Sequence, residues 1–162
     1  MSLDDKDLIL RKASEEDCRF IWELANEPVV RAVSFSSDEI PWEVHKKWFF
    51  PRLQNPKCLL YVVENSAHEK VGQLRFELKD EGWVISISIV EEFRGRSLGA
   101  DIIKIGSQML SDSDPEIDRI HAYIKQENSA SIHVFKKAGY EHAGFATVKE
   151  ENDAVLMVKK LI

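Results

Sequence analysis

The sequence has 162 residues, of which 44% are hydrophobic and 31% are charged, and its formal net charge is −6. A chain of this length and hydrophobic content forms one domain with a sizeable core, which we place at residues 1–162. The acidic balance argues against a nucleic-acid binder, which needs a basic face. No apolar run reaches the roughly 18–20 residues that span a bilayer, and no leader segment opens the chain. We therefore expect a soluble, cytoplasmic protein with no membrane or nucleic-acid partner.

The two cysteines, Cys18 and Cys58, are isolated and show neither metal-ligand spacing nor a CxxC pair. We expect both thiols to be reduced, buried and inert. The sequence predicts no metal site.

The first third of the chain predicts one strand followed by two helices. An apolar run at 8–11 indicates the strand, and Ser14 followed by three acidic residues is typical of a helix start. Pro28 ends that helix, and 31–37 is predicted to be a polar loop. A second helix begins near Pro41.

This second helix is rich in aromatic residues, which are Trp42, Trp48, Phe49 and Phe50. Core packing is the simpler interpretation of these rings. The alternative is an aromatic wall for an acceptor sugar or base.

From residue 59 to residue 89 the hydrophobic period changes to two, which is typical of strands. Runs at 59–64, 71–78 and 83–89 are separated by polar turns, so we predict an antiparallel meander.

The polar turn at 91–99 follows the last strand of this meander, and a helical pattern at 100–110 follows the turn. A strand, a glycine-containing turn and a helix start bring free backbone N–H groups and the positive end of a helix dipole together. Arg94 and Arg96 add positive charge. The stretch therefore predicts a site for a phosphate or pyrophosphate.

The last third predicts a strand at 117–124, a helix at 129–138 and a closing hairpin whose strands are 145–149 and 154–161. The hairpin turn is predicted at 150–153. The element order is β-α-α-β-β-β-α-β-α-β-β.

The turn lacks the Gly-Lys-Ser/Thr ending of a P-loop and the three glycines of a dinucleotide-binding loop. It resembles the acyl-CoA pyrophosphate loop of the GNAT N-acetyltransferase superfamily, here written Arg94-Gly95-Arg96-Ser97-Leu98-Gly99. Ser97 stands where the family usually has a glycine. If that position needs a positive φ, serine carries a steric cost. Alternatively, its hydroxyl contacts a phosphate.

A second segment, Asn128 to Tyr140, resembles the second CoA-contacting segment of the same family. The order and separation of the two segments also fit. The chain is thereby identified as a member of the GNAT superfamily. The resemblance implies an α/β (α+β) fold with a mixed, mainly antiparallel sheet of about seven strands and helices on both faces.

The resemblance implies an N-acetyltransferase that uses acetyl-CoA. In the family, the strand before the loop separates from its neighbour after a bulge, and pantetheine bonds to the exposed main chain. An N–H group of that strand, here that of Ile89, faces the thioester oxygen. The residues expected to bind acetyl-CoA are Ile87, Ser88, Ile89, Arg94, Gly95, Arg96, Ser97, Leu98, Gly99, Ala100, Asn128, Ser131 and Lys137.

The catalytic side chains are less well defined by the resemblance. Many members use a tyrosine to protonate the departing thiolate at the position of Phe135. Tyr140 and Tyr123 are substitute acids. For each of these side chains, and for the bases below, an ordinary structural or surface role is the competing interpretation. The candidates for the general base are Glu77, Glu127 and His45.

The segments 22–28, 42–49 and 72–76 resemble a branch of the superfamily that acetylates the 4-amino group of nucleotide-linked 6-deoxy sugars. Arg31 or Arg75 would pair with the nucleotide diphosphate, because a guanidinium matches phosphate oxygens. The expected acceptor contacts are Asn26, Arg31, Trp48, Arg75 and Ser86.

Two alternatives stay open. A ribosomal-protein or peptide N-terminal acetyltransferase would use an acidic groove, which Asp38, Glu39 and Glu43 could provide. A non-catalytic acyl-CoA sensor would be consistent with Phe135. The family also suggests a homodimer, although no residue demonstrates one.

Overall fold

The computed structural model describes residues 7–149 and 151–161. Within these ranges seven strands form one sheet with the order β1-β2-β3-β4-β5-β7-β6. β4 and β5 are parallel, and the other paired strands described are antiparallel. The strands are β1 Ile9–Lys12, β2 Cys58–Glu64, β3 Lys70–Lys79, β4 Gly82–Ile89, β5 Arg119–Ile124, β6 Glu141–Val148 and β7 Glu151–Lys160. The predicted mixed, mainly antiparallel sheet is confirmed.

The helices lie on both faces of the sheet, as predicted. They are α1 Cys18–Ala25, α2 Pro28–Val33, α3 Trp42–Arg52, α4 Leu98–Ser113 and α5 Ser129–Lys137. In the described ranges, no helix combines the length and the apolar character needed to cross a membrane.

Two hydrophobic clusters form because side chains alternate between the two faces of each strand. On one face, Leu74 and Phe76 of β3 pack with Ile102 of α4. On the other face, Val62 of β2 packs with Phe49 of α3, together with residues of α1. The aromatic helix α3 therefore contributes to the core through Phe49, which is fully buried.

The structure corrects the predicted loop at 31–37. Pro28 does not simply end α1 but occupies the first turn of a new helix, α2, which continues to Val33. Proline suits this position because its missing N–H would have no partner in the first helical turn. The short length of α2 left little periodic signal in the sequence.

The closing hairpin is longer than predicted. β6 begins at Glu141 and β7 begins at Glu151, and Lys149 adopts a left-handed conformation at the turn. Glu150, part of the predicted turn, lies outside the described residues. The start of β6 was missed because its first three residues are exposed and therefore show no apolar alternation.

The pairing between β4 and β5 is short. It covers only Trp83 with Ile120 and Val84 with His121. Over the same stretch, β3 pairs with the whole of β4 without a register shift, so β4 keeps its full partner on that side. The two parallel strands therefore diverge toward the end of β4 that leads into the 91–99 turn. The divergence needs no bulge in the β3–β4 pairing.

The edge of the sheet is joined to the first helical turn by a buried carboxylate. Asp17 is 1% exposed and accepts bonds from Arg11 at 2.8 and 2.9 Å and from the Ser14 N–H group at 2.8 Å. Lys70 Nζ lies 3.2 Å from its Oδ1. Burial alone would raise the pKa of Asp17, but these donors outweigh burial and hold that pKa well below its usual range.

We predict that Asp17→Asn lowers the free energy of unfolding by about 2–3 kcal/mol at pH 7, because it leaves buried cationic donors without their charge partner. Because folding lowers the pKa of Asp17, its stabilising contribution is present above the unfolded value of about 3.9 and is lost as the pH falls. The difference between the variant and the parent protein should therefore shrink below about pH 4 in denaturant titrations.

Asp118→Asn is the matched control, because Asp118 forms an exposed pair with Arg119 at 3.4 Å. Its effect should stay below about 0.5 kcal/mol at any pH. A pH-independent loss in Asp17→Asn would contradict the assignment of the effect to charge.

Candidate active site

The turn that follows β4 is built around two residues with positive φ. Gly95 has a φ of 76°, and Ser97 has a φ of 62° with a ψ of 24°, which is the left-handed region. Ser97 stands directly before α4, and its side chain makes no capping bond to that helix. The first N–H groups of a helix have no intrahelical partners, so those of α4 are open to a ligand. Together with the dipole of a 16-residue helix, they form an anion site.

The side chains at the start of α4 point into the protein. Leu98 and Ala100 are buried, so their contribution to an anion site is restricted to main-chain N–H groups. Gly99 allows α5 to approach closely, because a Cβ at Gly99 would lie 2.9 Å from Cγ1 of Val134. This contact brings the second predicted segment beside the turn.

The β3–β4 register determines which main-chain groups face the gap beside β4. The Val90 N–H donates to the Val71 carbonyl at 2.8 Å, and antiparallel bonding alternates every second residue. The main-chain groups of Ser88 therefore face β3, whereas those of Ile87 and Ile89 face the side where β5 has diverged. This corrects the expected main-chain role of Ser88.

Arg94 is engaged by protein groups. Its Nε donates to the Ile89 carbonyl at 2.9 Å, and its terminal nitrogen forms an ion pair with Glu27. Arg96, the other arginine of the turn, lies over the Phe93 ring at 5.2 Å from the ring centroid. The guanidinium of Arg94 therefore braces the turn.

The second segment begins with a helix cap. Asn128 Oδ1 accepts the Ser131 N–H at 3.2 Å, which fixes the start of α5. Ser131 is half-buried and Lys137 is exposed. Contacts of these three residues with acetyl-CoA stay predictions.

A polar row lies on the sheet face that α1 and α3 cover. Gln73 and Arg75 of β3 stand directly opposite Ser88 and Ser86 of β4, and they donate to these hydroxyls at 3.4 Å. Gln73 is 6% exposed, and its Oε1 has no hydrogen-bond partner among the described residues. The sequence analysis did not select Gln73. Its position opposite Ser88 in the predicted meander was the available signal.

Glu77 continues this row. Its carboxylate lies 2.6 Å from Arg75 Nε, 3.8 Å from Arg52 and 3.7 Å from Lys79. The guanidinium groups of Arg52 and Arg75 also lie over the Trp48 ring, at 4.6 and 5.0 Å from its centroid. Trp48 is thus engaged by protein cations, and Glu77 is held in an ion-pair network.

The structure separates His45 from this row. His45 is 3% exposed, its Nε2 lies 2.9 Å from the Cys18 carbonyl oxygen, and its ring stacks against Phe49. Burial lowers the pKa of His45 and outweighs the opposing effect of the hydrogen bond. These contacts give His45 a packing role. Glu127, by contrast, is exposed.

The tyrosines and Phe135 also have local structural partners. Tyr140 is 2% exposed, its hydroxyl lies 2.9 Å from that of Ser107, and burial raises its pKa above the usual value. Phe135 is buried against the Tyr140 ring. The Tyr123 hydroxyl donates to Glu81, and burial together with this bond raises the pKa of Tyr123 to about 12.

Asn26 and Arg31 hold the loop before α3. Asn26 exchanges two bonds with the main chain of Ile40, at 2.8 and 2.9 Å. Arg31 donates to the carbonyls of Ala25 and Ser36, both at 2.7 Å. These polar atoms brace the loop, and substrate contacts for the two residues stay predictions.

A separate cleft of about 450 Å³ lies at the opposite end of β4, and it is lined by residues such as Glu81, Trp83 and His121. β4 and β5 are paired there, so the cleft offers no open strand edge. The candidate active site is instead the gap beside Ile87 and Ile89, with the turn at one end and the polar row on one face.

Comparison with known proteins identifies the family and the fold. The profile of a family described as "Acetyltransferase (GNAT) domain" matches residues 7–141. An uncharacterized protein of Methanocaldococcus jannaschii is 23% identical over 141 residues, which cover 85% of this chain and 29% of that protein. A candidate ribosomal protein bS18-alanine N-acetyltransferase of Bacillus subtilis is 24% identical over 71% of this chain and 72% of that protein. The chain thus spans less than a third of the first relative.

Solved structures show the same fold. Aminoglycoside acetyltransferase AAC(6')-Ib in complex with paromomycin and acetyl-CoA has a TM-score of 0.82 at 20% identity, over 95% of this chain and 93% of that chain. Spermidine N-acetyltransferase from Vibrio cholerae in complex with CoA and spermine has a TM-score of 0.82 at 18% identity, over 96% of each chain.

We predict that Ser97→Gly raises the free energy of unfolding by about 0.5 kcal/mol, because relief of the left-handed conformation exceeds the added entropy of the unfolded chain. The dissociation constant for acetyl-CoA, measured by calorimetry, should stay within twofold. Gly95→Ala is the control for backbone conformation. A Cβ there meets nothing within 4 Å, so any effect of this change comes from the positive φ alone. A several-fold loss of affinity in Ser97→Gly would instead assign a phosphate contact to the hydroxyl.

A second prediction concerns Tyr140. Because its hydroxyl is buried on Ser107, Tyr140→Phe should lower stability by about 1 kcal/mol and leave the turnover number within twofold. Ser107→Ala should give a similar pattern. A hundredfold loss of turnover in Tyr140→Phe alone, with a shifted pH profile, would identify it as a catalytic acid.

Proposed function

We propose that this chain, which belongs to the GNAT acetyltransferase family, is an acetyl-CoA-dependent N-acetyltransferase whose acceptor is the primary amine of a nucleotide-linked amino sugar. Acetyl-CoA supplies the activated acetyl group. The proposal has to explain how this chain's residues hold that cofactor, how they orient an amine and why they favour this class of acceptor.

The residues present fit acetyl-CoA. The turn offers open N–H groups at the start of α4, where Ser97 holds a left-handed conformation. Beside it, the Ile87 and Ile89 main-chain groups face a gap that no described strand fills. We assign the pyrophosphate to the turn and the thioester oxygen to the Ile89 N–H. A donor fixed in this way stabilises negative charge that develops on that oxygen.

The amine has to lose a proton before it can attack. The polar row provides acceptors for the proton or for a relaying water, because the Gln73 Oε1, the Ser86 and Ser88 hydroxyls and the Glu77 carboxylate follow one sheet face. We propose Glu77 as the general base in preference to Glu127, which is exposed, and His45, which is buried among aromatic rings. Because Glu77 stands opposite Val84 and not opposite Ile89, it would act through water relayed along the Ser86 and Ser88 hydroxyls. Because Phe135 offers no proton to the departing CoA thiolate, we assign that proton to solvent.

The observation that carries the choice of acceptor is the excess of positive charge around Glu77. Arg52, Arg75 and Lys79 lie within 4 Å of that single carboxylate. A polyamine would be repelled by this cluster, whereas an acceptor with a diphosphate would be attracted.

A second candidate acceptor is a ribosomal-protein N-terminus. It is favoured by the similarity to the Bacillus subtilis relative and by three exposed acidic residues at the start of α3, which are Asp38, Glu39 and Glu43. These carboxylates lie in or next to the loop that Asn26 and Arg31 brace. A peptide acceptor would approach from this side.

The test is CoA release from acetyl-CoA with a UDP-linked 4-amino-6-deoxy sugar, with spermidine, with an alanine-initiated peptide and with no amine. We expect turnover with the sugar nucleotide only. Arg75→Gln should raise the KM for that acceptor about tenfold, because one charge-assisted contact to a phosphate is worth roughly 1.4 kcal/mol. The KM for the same amino sugar without its nucleotide should change less than twofold.

Arg119→Gln is the matched control, since Arg119 is exposed, pairs with Asp118 and lies on β5, two strands away from Arg75. Turnover with the peptide alone would assign the second candidate. Retained binding of acetyl-CoA with no turnover for any amine in the panel would contradict both acceptors and support a sensor.

A further inference from the structure

We propose that Arg94 and Glu27 form a positioning pair that fixes the reactive end of β4 and ties α2 to it. The proposal removes Arg94 from the expected phosphate ligands. It rests on the use of acetyl-CoA by this site and not on the choice of acceptor.

Arg94 bonds to one side of the peptide group between Ile89 and Val90. Its Nε donates to the Ile89 carbonyl at 2.9 Å, and the N–H of the same peptide group, which belongs to Val90, donates to Val71 at 2.8 Å from the other side. This peptide group is therefore bonded at both ends. Fixing it also fixes the direction of the neighbouring Ile89 N–H, which the active site needs as a donor.

Glu27 holds the other side of the Arg94 guanidinium. The two side chains form an ion pair and are 28% and 27% exposed. A guanidinium with Nε on a carbonyl and a terminal nitrogen on a carboxylate is already oriented and neutralised. Because the Glu27 carboxylate already offsets its charge, we assign anion binding to the main-chain N–H groups of the turn.

Glu27 directly precedes α2, which is weakly packed. None of the six residues of α2 is buried, and Val29 and Val33 are 56% and 36% exposed. Arg31 ties the helix to the carbonyl of Ala25 at the end of α1 and to that of Ser36 in the loop that follows. The Glu27 pair adds a contact from this segment to the turn, 67 residues further along the chain.

The Arg94 side chain therefore contacts both the end of β4, where we place the acetyl group, and Glu27, which leads into α2. A change in the position of the turn is transmitted to both. Arg94 acts through the Ile89 main chain and through Glu27, so it is a positioning residue.

The test is a double-mutant cycle of Glu27→Gln and Arg94→Gln, with acetyl-CoA affinity measured by calorimetry and kinetics measured with any amine that the protein acetylates. Each single variant should lower kcat or raise the acceptor KM about three- to tenfold, with the acetyl-CoA dissociation constant changed by less than twofold. The double variant should be no worse than Arg94→Gln, because both changes break one pair. Arg94→Lys, which keeps the charge, should recover part of the loss.

The opposite pattern would overturn the proposal. A phosphate ligand would give a tenfold weaker acetyl-CoA affinity in Arg94→Gln, with no loss in Glu27→Gln, where the arginine is released. Additive losses, or no change in either variant, would also overturn it. Glu23→Gln, an exposed acidic residue on α1, is the control for a change of net charge.

A second readout needs no acceptor. In the presence of saturating acetyl-CoA, the amides of α2 should exchange with deuterium about three- to tenfold faster in Glu27→Gln than in the parent protein. The amides of α5 should be unchanged in the same sample. Equal exchange in α2 would refute the link, whatever the acceptor proves to be.

Discussion

The site depends on the short pairing of β4 with β5. Two parallel residue pairs hold these strands together near Trp83, and beyond them the strands separate. β4 does not lose its order, because β3 pairs with it along its full length. The edge of β4 that faces away from β3 is therefore rigid but has no strand partner beyond Val84 among the described residues, which is rare for main-chain groups inside a sheet. A thioester can use such groups because their direction is set before it binds.

The two faces of the sheet carry different side chains and have different proposed roles. On the face that packs against α4, apolar residues such as Leu74 and Phe76 form the hydrophobic core that supports α4 and the turn before it. On the opposite face, α1 and α3 cover a row that includes Gln73, Arg75 and Glu77. In the proposed site, cofactor binding therefore relies on main-chain geometry, and acceptor binding relies on side chains. A chain with net charge −6 can bind an anionic cofactor because the attraction is local.

The sequence predicted the elements that have a clear period and missed those that do not. The meander followed from alternation and the turn from its glycines. The two longest described helices, α3 and α4, followed from helical spacing. α2 was missed because six residues hold too little periodicity, and the start of β6 because its residues are exposed on both sides. Ser97 is an intermediate case. The sequence showed that a positive φ would be costly there, and the structure adopts one of 62°.

Side-chain partners were the least predictable part of the site. An arginine in a phosphate-binding turn is reasonably expected to meet the phosphate, and no local pattern shows that Arg94 has Glu27 beside it. The same reasoning applies to Arg31, whose donors are taken by loop carbonyls. Both arginines therefore hold main-chain segments in place. The side-chain entropy that they lose is offset by main-chain groups whose direction is set, and in the proposed site those groups bind the cofactor.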